Sequence, residues 1–138
     1  MENSELQLEG PRIISPKLFG DERGFFVESY NDARYQEILG GTQFCQDNVS
    51  VSQKGVLRGL HFQHEPHAQG KLVSVLSGSV FDVAVDIRPS SPTFGSYMDV
   101  KLHAPQRDAK GVWTWTQFWI PPGFAHGFLA LELSLIHI

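Results

Sequence analysis

KLVSVLSGSVFDVAVDIR, residues 71–88, holds two alternating apolar runs joined by Ser77-Gly78. A two-residue link containing glycine between such runs reads as a β-hairpin. Folding it about that link sets Leu76 opposite Ser79, Val75 opposite Val80, Val73 opposite Asp82 and Lys71 opposite Ala84. Side chains alternate along a strand. Phe81, Val83, Val85 and Ile87 therefore share an apolar face, and Asp82, Ala84 and Asp86 share the other. In this register both aspartates are diagonal neighbours of Lys71, within reach of a long side chain.

Outward from this unit, most of the chain reads as short strands between Gly, Pro, Asn and Ser turns. The expected strands are 24–30, 43–52, 56–63, 71–76, 79–88, 96–102, 116–120 and 125–133. One short helix is expected near residues 31–39, capped by Asn31 or Asp32 and stopped by Gly40-Gly41. The fold class is all-β, a barrel or sandwich. Polar ladders recur: Gln46, Asn48, Ser50 and Ser52 share one face, and Phe26, Glu28 and Tyr30 alternate with Phe25 and Val27. Either these faces meet solvent, as in many antiparallel sheets, or they line the polar mouth of a barrel whose outer face packs on something else. Arg, His, Lys and Gln recurring on several strands favour the barrel.

The 138 residues suit a single domain, 1–138, large enough to bury a core without staples. A net charge of −4 gives no basic footprint for nucleic acid or an anionic membrane. Cys45 is the single cysteine, which suits a reducing cytosol. The polar, acidic start MENSELQLEG lacks the features of a secretion signal, and no apolar run is long enough to span a bilayer. The expectation is a soluble, cytoplasmic protein.

KGVLRGLHFQ, residues 54–63, sets Arg58 and His61 among strand-forming apolar residues. Charged side chains are rarely buried unpaired, so this strand should face a wet cavity. Three positions apart, Arg58 and His61 point to opposite faces of a flat strand; a bulge at Gly59 would bring them together. His61 with PPGFAHGF, residues 121–128, resembles the two motifs of cupin barrels. Metal cupins carry a second histidine two positions on, where this chain has Gln63, and His64 and His67 fall in a loop. With His61 and His126 alone in place, a metal is disfavoured. His61, Lys71, Arg58 and Arg23, with Gln46 and Asn48, form instead an acid–base and anion-binding set. Imidazole exchanges protons near neutrality. Arginine forks onto phosphate, and lysine offers a compact charge to a developing oxyanion. Such a set suits proton removal beside a carbonyl.

FGDERGFFVESY, FCQDNVSVS, GVLRGLHFQ, AQGKLVSVLSGSVFDVAVDIRPSSPTFG and WIPPGFAHGF together resemble the dTDP-4-dehydrorhamnose 3,5-epimerase family, over about residues 18–128. The resemblance implies a cupin-type double-stranded β-helix (a jelly-roll barrel), usually a homodimer. It also implies cofactor-free inversion of C3 and C5 in dTDP-4-dehydro-6-deoxy-D-glucose, giving dTDP-4-dehydro-L-rhamnose. It makes His61 the general base and Lys71 the donor to the enolate oxygen at C4. Arg23, Glu28, Gln46, Asp47, Asn48 and Arg58 would lie along the nucleotide-sugar, with His126 contributing from AHGF. Phe26, Asp82 and Asp86 would support them.

The chain departs from the family in two places. After AHGF the family continues through a strand carrying a tyrosine, the opposite-face proton donor, and on to an aspartate that orients the catalytic histidine. Here no tyrosine follows Tyr97, and LELSLIHI ends the chain at Ile138. The expectation is a chain lacking the family's C-terminal portion, with a last half-dozen residues foreign to it. Residues 103–119 exceed the corresponding family connection, and Trp113, Trp115 and Trp119 alternate there. An extended hairpin packed on the barrel is favoured over a base-stacking platform. Besides the epimerase, the residues leave open a single-carbon epimerase of another nucleotide 4-ketosugar, a non-catalytic nucleotide-sugar binder and a metal cupin.

Overall fold

The computed structural model describes residues 2–5, 10–64 and 68–138, the first of these segments by backbone alone. His67 lies outside the described residues. In chain order the elements are β1 (Glu2–Glu5), β2 (Arg12–Ser15), β3 (Leu18–Asp21), β4 (Gly24–Val27), α1 (Asp32–Leu39), β5 (Val49–Ser52), β6 (Leu57–His61) and β7 (Lys71–Ser77). They continue with β8 (Ser79–Asp86), β9 (Tyr97–His103), β10 (Gln106–Arg107), β11 (Trp113–Thr114), β12 (Gln117–Ile120), β13 (Phe124–Ala130) and β14 (Ser134–His137).

Two antiparallel sheets enclose the core. One has the strand order β1-β2-β12-β7-β14-β5 and the other β6-β13-β8-β9. Their inner rows interlock: Val73 and Val75 of β7 and Phe118 and Ile120 of β12 pack with Val80 and Ala84 of β8, Met98 and Leu102 of β9, and Phe128 of β13. Burying these rows holds the sheets together, since each aliphatic or aromatic side chain removed from water contributes about 1.5–3 kcal/mol. The result is the cupin-type jelly-roll barrel that the sequence resemblance implies.

The reading of residues 71–88 as a paired hairpin is corrected. β7 pairs with β12 and β14, so Lys71 faces Ile120 and Val73 faces Phe118. β8 pairs with β13 and β9, so Ala84 lies between His126 and Met98. At Ser77-Gly78 the chain crosses from one sheet to the other. Gly78 has φ +84°, and a Cβ there would sit 2.3 Å from the Leu133 carbonyl oxygen, so no other residue makes this turn without strain. The two faces of β8 fall as the alternation requires, but the polar row is the inner one. Asp82 and Asp86 are fully buried, whereas Phe81 on the other face is exposed.

The helix forms as its caps dictate. The Asn31 side chain accepts a hydrogen bond from the Arg34 backbone N–H, and Gly40 ends the helix in the left-handed region at φ 66°. Its Tyr35 and Leu39 pack with Ile14 and Trp119 on the side of the six-stranded sheet away from the core. Residues 43–48, expected to continue a strand, form a loop instead. The expected extended hairpin within 103–119 is present as β10–β11. It packs on the β3–β4 hairpin: Trp113 stacks on Phe25 at 4.8 Å, and the Arg107 guanidinium donates to the Asp21 carbonyl oxygen at 2.8 Å. Trp115 and Trp119 are buried, which favours the packing role over a stacking platform.

Candidate active site

A bulge in β6 decides what this strand presents. Leu57 pairs with Leu129, Arg58 with Phe128 and His61 with His126, so Gly59 and Leu60 together oppose Gly127. The extra residue turns Arg58 and His61 onto the same face, that of the buried Phe128 and His126. Gly59 makes this possible. Its φ is +108°, and an added Cβ would lie 2.6 Å from the His126 carbonyl oxygen and 2.7 Å from the Gly127 Cα. A side chain fits at neither torsion nor contact.

His61 and Lys71 line one hollow of about 310 Å³, together with Phe62, Gln63, Gln69, Gly123 and Phe124. The imidazole comes from the edge strand of one sheet and the ammonium from the first residue of β7 in the other. A second, larger cavity of about 600 Å³ is lined by Gln46, Asp47 and Asn48, with Tyr30, Phe44, Ser74 and Gln117 among its other walls. Lys71 and Gln69 line both cavities. Gln69 was missed in the sequence, though its place in AQGK beside Lys71 was the available signal.

The floor of the larger cavity is a satisfied polar network. The Gln117 amide donates to the Ser29 carbonyl and to the Ser74 hydroxyl, and Tyr35 donates its hydroxyl to the Gln117 side-chain oxygen. Burial pushes the Tyr35 phenol up to about 12, so it remains a neutral donor.

Behind the smaller hollow lies a buried acidic group. Asp82 is fully buried, and its Oδ1 is 2.8 Å from the Nε2 of His126, itself only 4% exposed. The approach is close but off the line of a hydrogen bond, and neither Asp82 oxygen has an aligned partner. Burial pushes the Asp82 carboxyl up from its ordinary range, opposed by His126 and Lys71. Burial likewise pulls the Lys71 ammonium down, opposed by Asp82. Each of these opposite charges thus favours the ionised form of the other against the effect of burial.

The remaining expected site residues divide. Arg58 lines neither cavity: its guanidinium donates to the Ser52 hydroxyl at 2.8 Å and to the Val51 carbonyl. His126 also lines neither cavity and serves as the wall behind His61. Arg23, Phe26 and Glu28 belong to or follow the β3–β4 hairpin. Arg23 pairs with Asp21 at 2.7 Å, Glu28 pairs with Arg34 at 2.7 Å, and Phe26 is 72% exposed. This chain by itself does not bring them to His61. Asp86 is corrected outright. Its carboxylate accepts from Arg88, Ser91 and Thr93, so it ties down the loop after β8 and is no neighbour of Lys71. The guanidinium and hydroxyls hold it well below the ordinary carboxylate range. Among the described residues no group of three or more His, Cys, Asp and Glu side chains is gathered as a metal site, and no helix is long and apolar enough to cross a membrane.

A family model described as dTDP-4-dehydrorhamnose 3,5-epimerase matches residues 5–136. The chain is 58% identical over 121 residues to a dTDP-4-dehydrorhamnose 3,5-epimerase of Shigella flexneri, covering 87% of this chain and 62% of that protein. Its identity to the Escherichia coli K12 enzyme of the same name is 52% over 127 residues, covering 91% and 64%. The chain thus spans less than two thirds of the length of these relatives. Among solved structures it superposes on dTDP-6-deoxy-D-glucose-3,5-epimerase from Legionella pneumophila Philadelphia 1, in complex with dTDP-4-keto-L-rhamnose. There the TM-score is 0.86 at 53% identity, covering 99% of this chain and 68% of the other. A 3'-monoepimerase from Streptomyces bikiniensis, in complex with dTDP-quinovose, gives a TM-score of 0.80 at 31% identity, covering 96% and 65%.

Proposed function

Because the chain belongs to the dTDP-4-dehydrorhamnose 3,5-epimerase family, we propose that it epimerises C3 and C5 of dTDP-4-dehydro-6-deoxy-D-glucose through an enolate. The observation that carries the reading is the hollow shared by His61 and Lys71. The C4 ketone acidifies the hydrogens on both neighbouring carbons. His61 abstracts one of them; Lys71 donates to the C4 oxygen as negative charge gathers there. A well-placed donor to such an oxygen is worth about 2.7–4 kcal/mol of barrier, and a placed base about 10²–10⁴-fold in rate. With no tyrosine after Tyr97 in these 138 residues, water delivers a proton to the opposite face while His61 releases the one it removed to solvent, which completes the inversion with no cofactor in the balance.

In this reading Gln46, Asp47 and Asn48 of the larger cavity meet the nucleotide-sugar, with Lys71 at the junction of the two spaces. Arg23 and Arg58 supply the diphosphate end, Glu28 lies elsewhere along the nucleotide-sugar, and His126 backs the base. The partner protein is a second copy. Leu57, Leu129 and Phe81 stand side by side across β6, β13 and β8 on the outer face of the four-stranded sheet, and Tyr97 lies on the same face opposite Val85, beyond Lys101 and Asp99 of β9. Leu57 is 71% exposed and Tyr97 66%. An apolar face of this kind marks an interaction surface. A cytoplasmic location accords with the single Cys45.

The test is incubation with dTDP-4-dehydro-6-deoxy-D-glucose in deuterium oxide, followed by NMR of the sugar. Deuterium is expected at both C3 and C5. The likeness to a 3'-monoepimerase favours one alternative, a single-carbon epimerase, which would label C3 alone. No label at either carbon with folded protein would overturn the catalytic reading.

A further inference from the structure

Among the described residues, Asp82 is a feature of the barrel interior that packing does not explain. It stands between Val80 and Ala84 on the inner row of β8, and both neighbours belong to the apolar core. Across the sheet it faces Phe128 of β13 and Val100 of β9. A fully buried carboxylate without an aligned donor is costly, and an apolar residue of similar size would fill the space at less expense. One protonatable group adjoins it, and one cationic group interacts with it from the other sheet. His126 of β13 approaches within 2.8 Å. Lys71 begins the row of β7 that continues through Val73 and Val75, which share one core cluster with Val80 and Ala84 either side of Asp82, and Lys71 and Asp82 interact through their charges without forming an ion pair. From β6, Arg58 and His61 lie on this face as the cross-strand partners of Phe128 and His126, the Arg58 guanidinium being held by the Ser52 hydroxyl and the Val51 carbonyl.

We propose that Asp82 is a positioning residue, the buried counter-charge that keeps Lys71 an ammonium at the mouth of the hollow and fixes the His126 ring behind His61. A half-buried lysine drifts towards its neutral amine, and a neutral amine cannot answer a developing oxyanion with full charge. A fixed negative charge buried in the opposite wall offsets that drift without touching the substrate. It works at a distance from the reacting carbon and takes up no room in the hollow. The role that Lys71 would play rests on the epimerase reading; the electrostatic coupling between Lys71 and Asp82 does not.

The experiment is an NMR titration of the Lys71 side-chain nitrogen in the wild-type chain and in D82N, in the absence of any sugar. The Lys71 midpoint is expected to fall in D82N by about one pH unit, at the low end of what a nearby opposite charge contributes. A midpoint unchanged in folded D82N would overturn the proposal. Should D82N fail to fold, K71M provides the reciprocal measurement: the Asp82 carboxyl carbon is expected to titrate at higher pH than in the wild type. An unmoved Asp82 in K71M would equally overturn it. Because neither titration needs turnover, a chain that showed the coupling but exchanged no deuterium would uphold this inference while refuting the function proposed above.

Discussion

His61 and Asp86 illustrate what a single residue does and does not reveal. His61 could be singled out because an imidazole on an otherwise apolar strand needs a reason, and the structure places it in a hollow with Lys71. Replacing it with asparagine is expected to lower deuterium exchange by about 10²–10⁴-fold, the contribution of a placed general base. Binding of dTDP, measured by calorimetry, should change little, because in the proposed reading the base acts on the sugar and not on the nucleotide. Asp86 was expected beside Lys71, as the assumed hairpin required. Its true partners lie ahead of it in the chain, in the run of Arg88, Ser91 and Thr93, and that polar turn was the overlooked signal. Its carboxyl is held low, so its contribution to stability is complete above the ordinary carboxylate range and is lost as pH falls towards its folded value. Urea denaturation of D86N should show a deficit of about 2–3 kcal/mol at pH 7, discounted because Arg88 is partly exposed. The gap to wild type should narrow steadily on acidification below about pH 4.

At the scale of the element, local chemistry was readable and pairing was not. The ends of α1 were legible in Asn31 and Gly40 because capping depends on the adjacent few residues. The bulge was legible too, from a glycine lying between two polar residues that needed a common face. The partners of β7 and β8 were not. A Ser-Gly link is compatible with a hairpin or with a turn between sheets, and long-range packing made the choice. The bulge yields a sharp expectation. G59A places a Cβ 2.6 Å from the His126 oxygen at a torsion that disfavours side chains. It should cost at least about 1–3 kcal/mol by thermal denaturation, as backbone strain of this kind does. It should also reduce exchange, since the strand must move His61 to relieve the clash. The β3–β4 hairpin gives another. W113A removes the ring that Phe25 stacks on and opens space against Gly20. Amide hydrogens of residues 18–27 should then exchange faster than in wild type, with those of β8 and β13 unchanged.

For the whole molecule, the all-β barrel and its polar mouth could be read from strand alternation, whereas the division of the expected site could not. Gln46, Asp47 and Asn48 come to one cavity and His61 to another because the loop 43–48 passes on the helix side of the six-stranded sheet. Arg23 and Glu28 stand on a hairpin that this copy of the chain does not turn towards its own His61. Association is the expectation at this scale. Sedimentation velocity should show a dimer at micromolar concentration, and the double variant L57E/Y97E, charged on the outer sheet face, should sediment as a monomer with its far-ultraviolet circular dichroism preserved.

The crossing at Gly78 bears on how the chain reaches this state. Since sequence neighbours β7 and β8 belong to opposite walls, zipping one turn cannot build either wall. Arg12 must find Trp119, and Arg58 must find Phe128, before a sheet exists. Such distant pairings cost loop entropy in advance of any reward, and refolding from urea is therefore expected on the slow, millisecond-to-second side for a chain of this length.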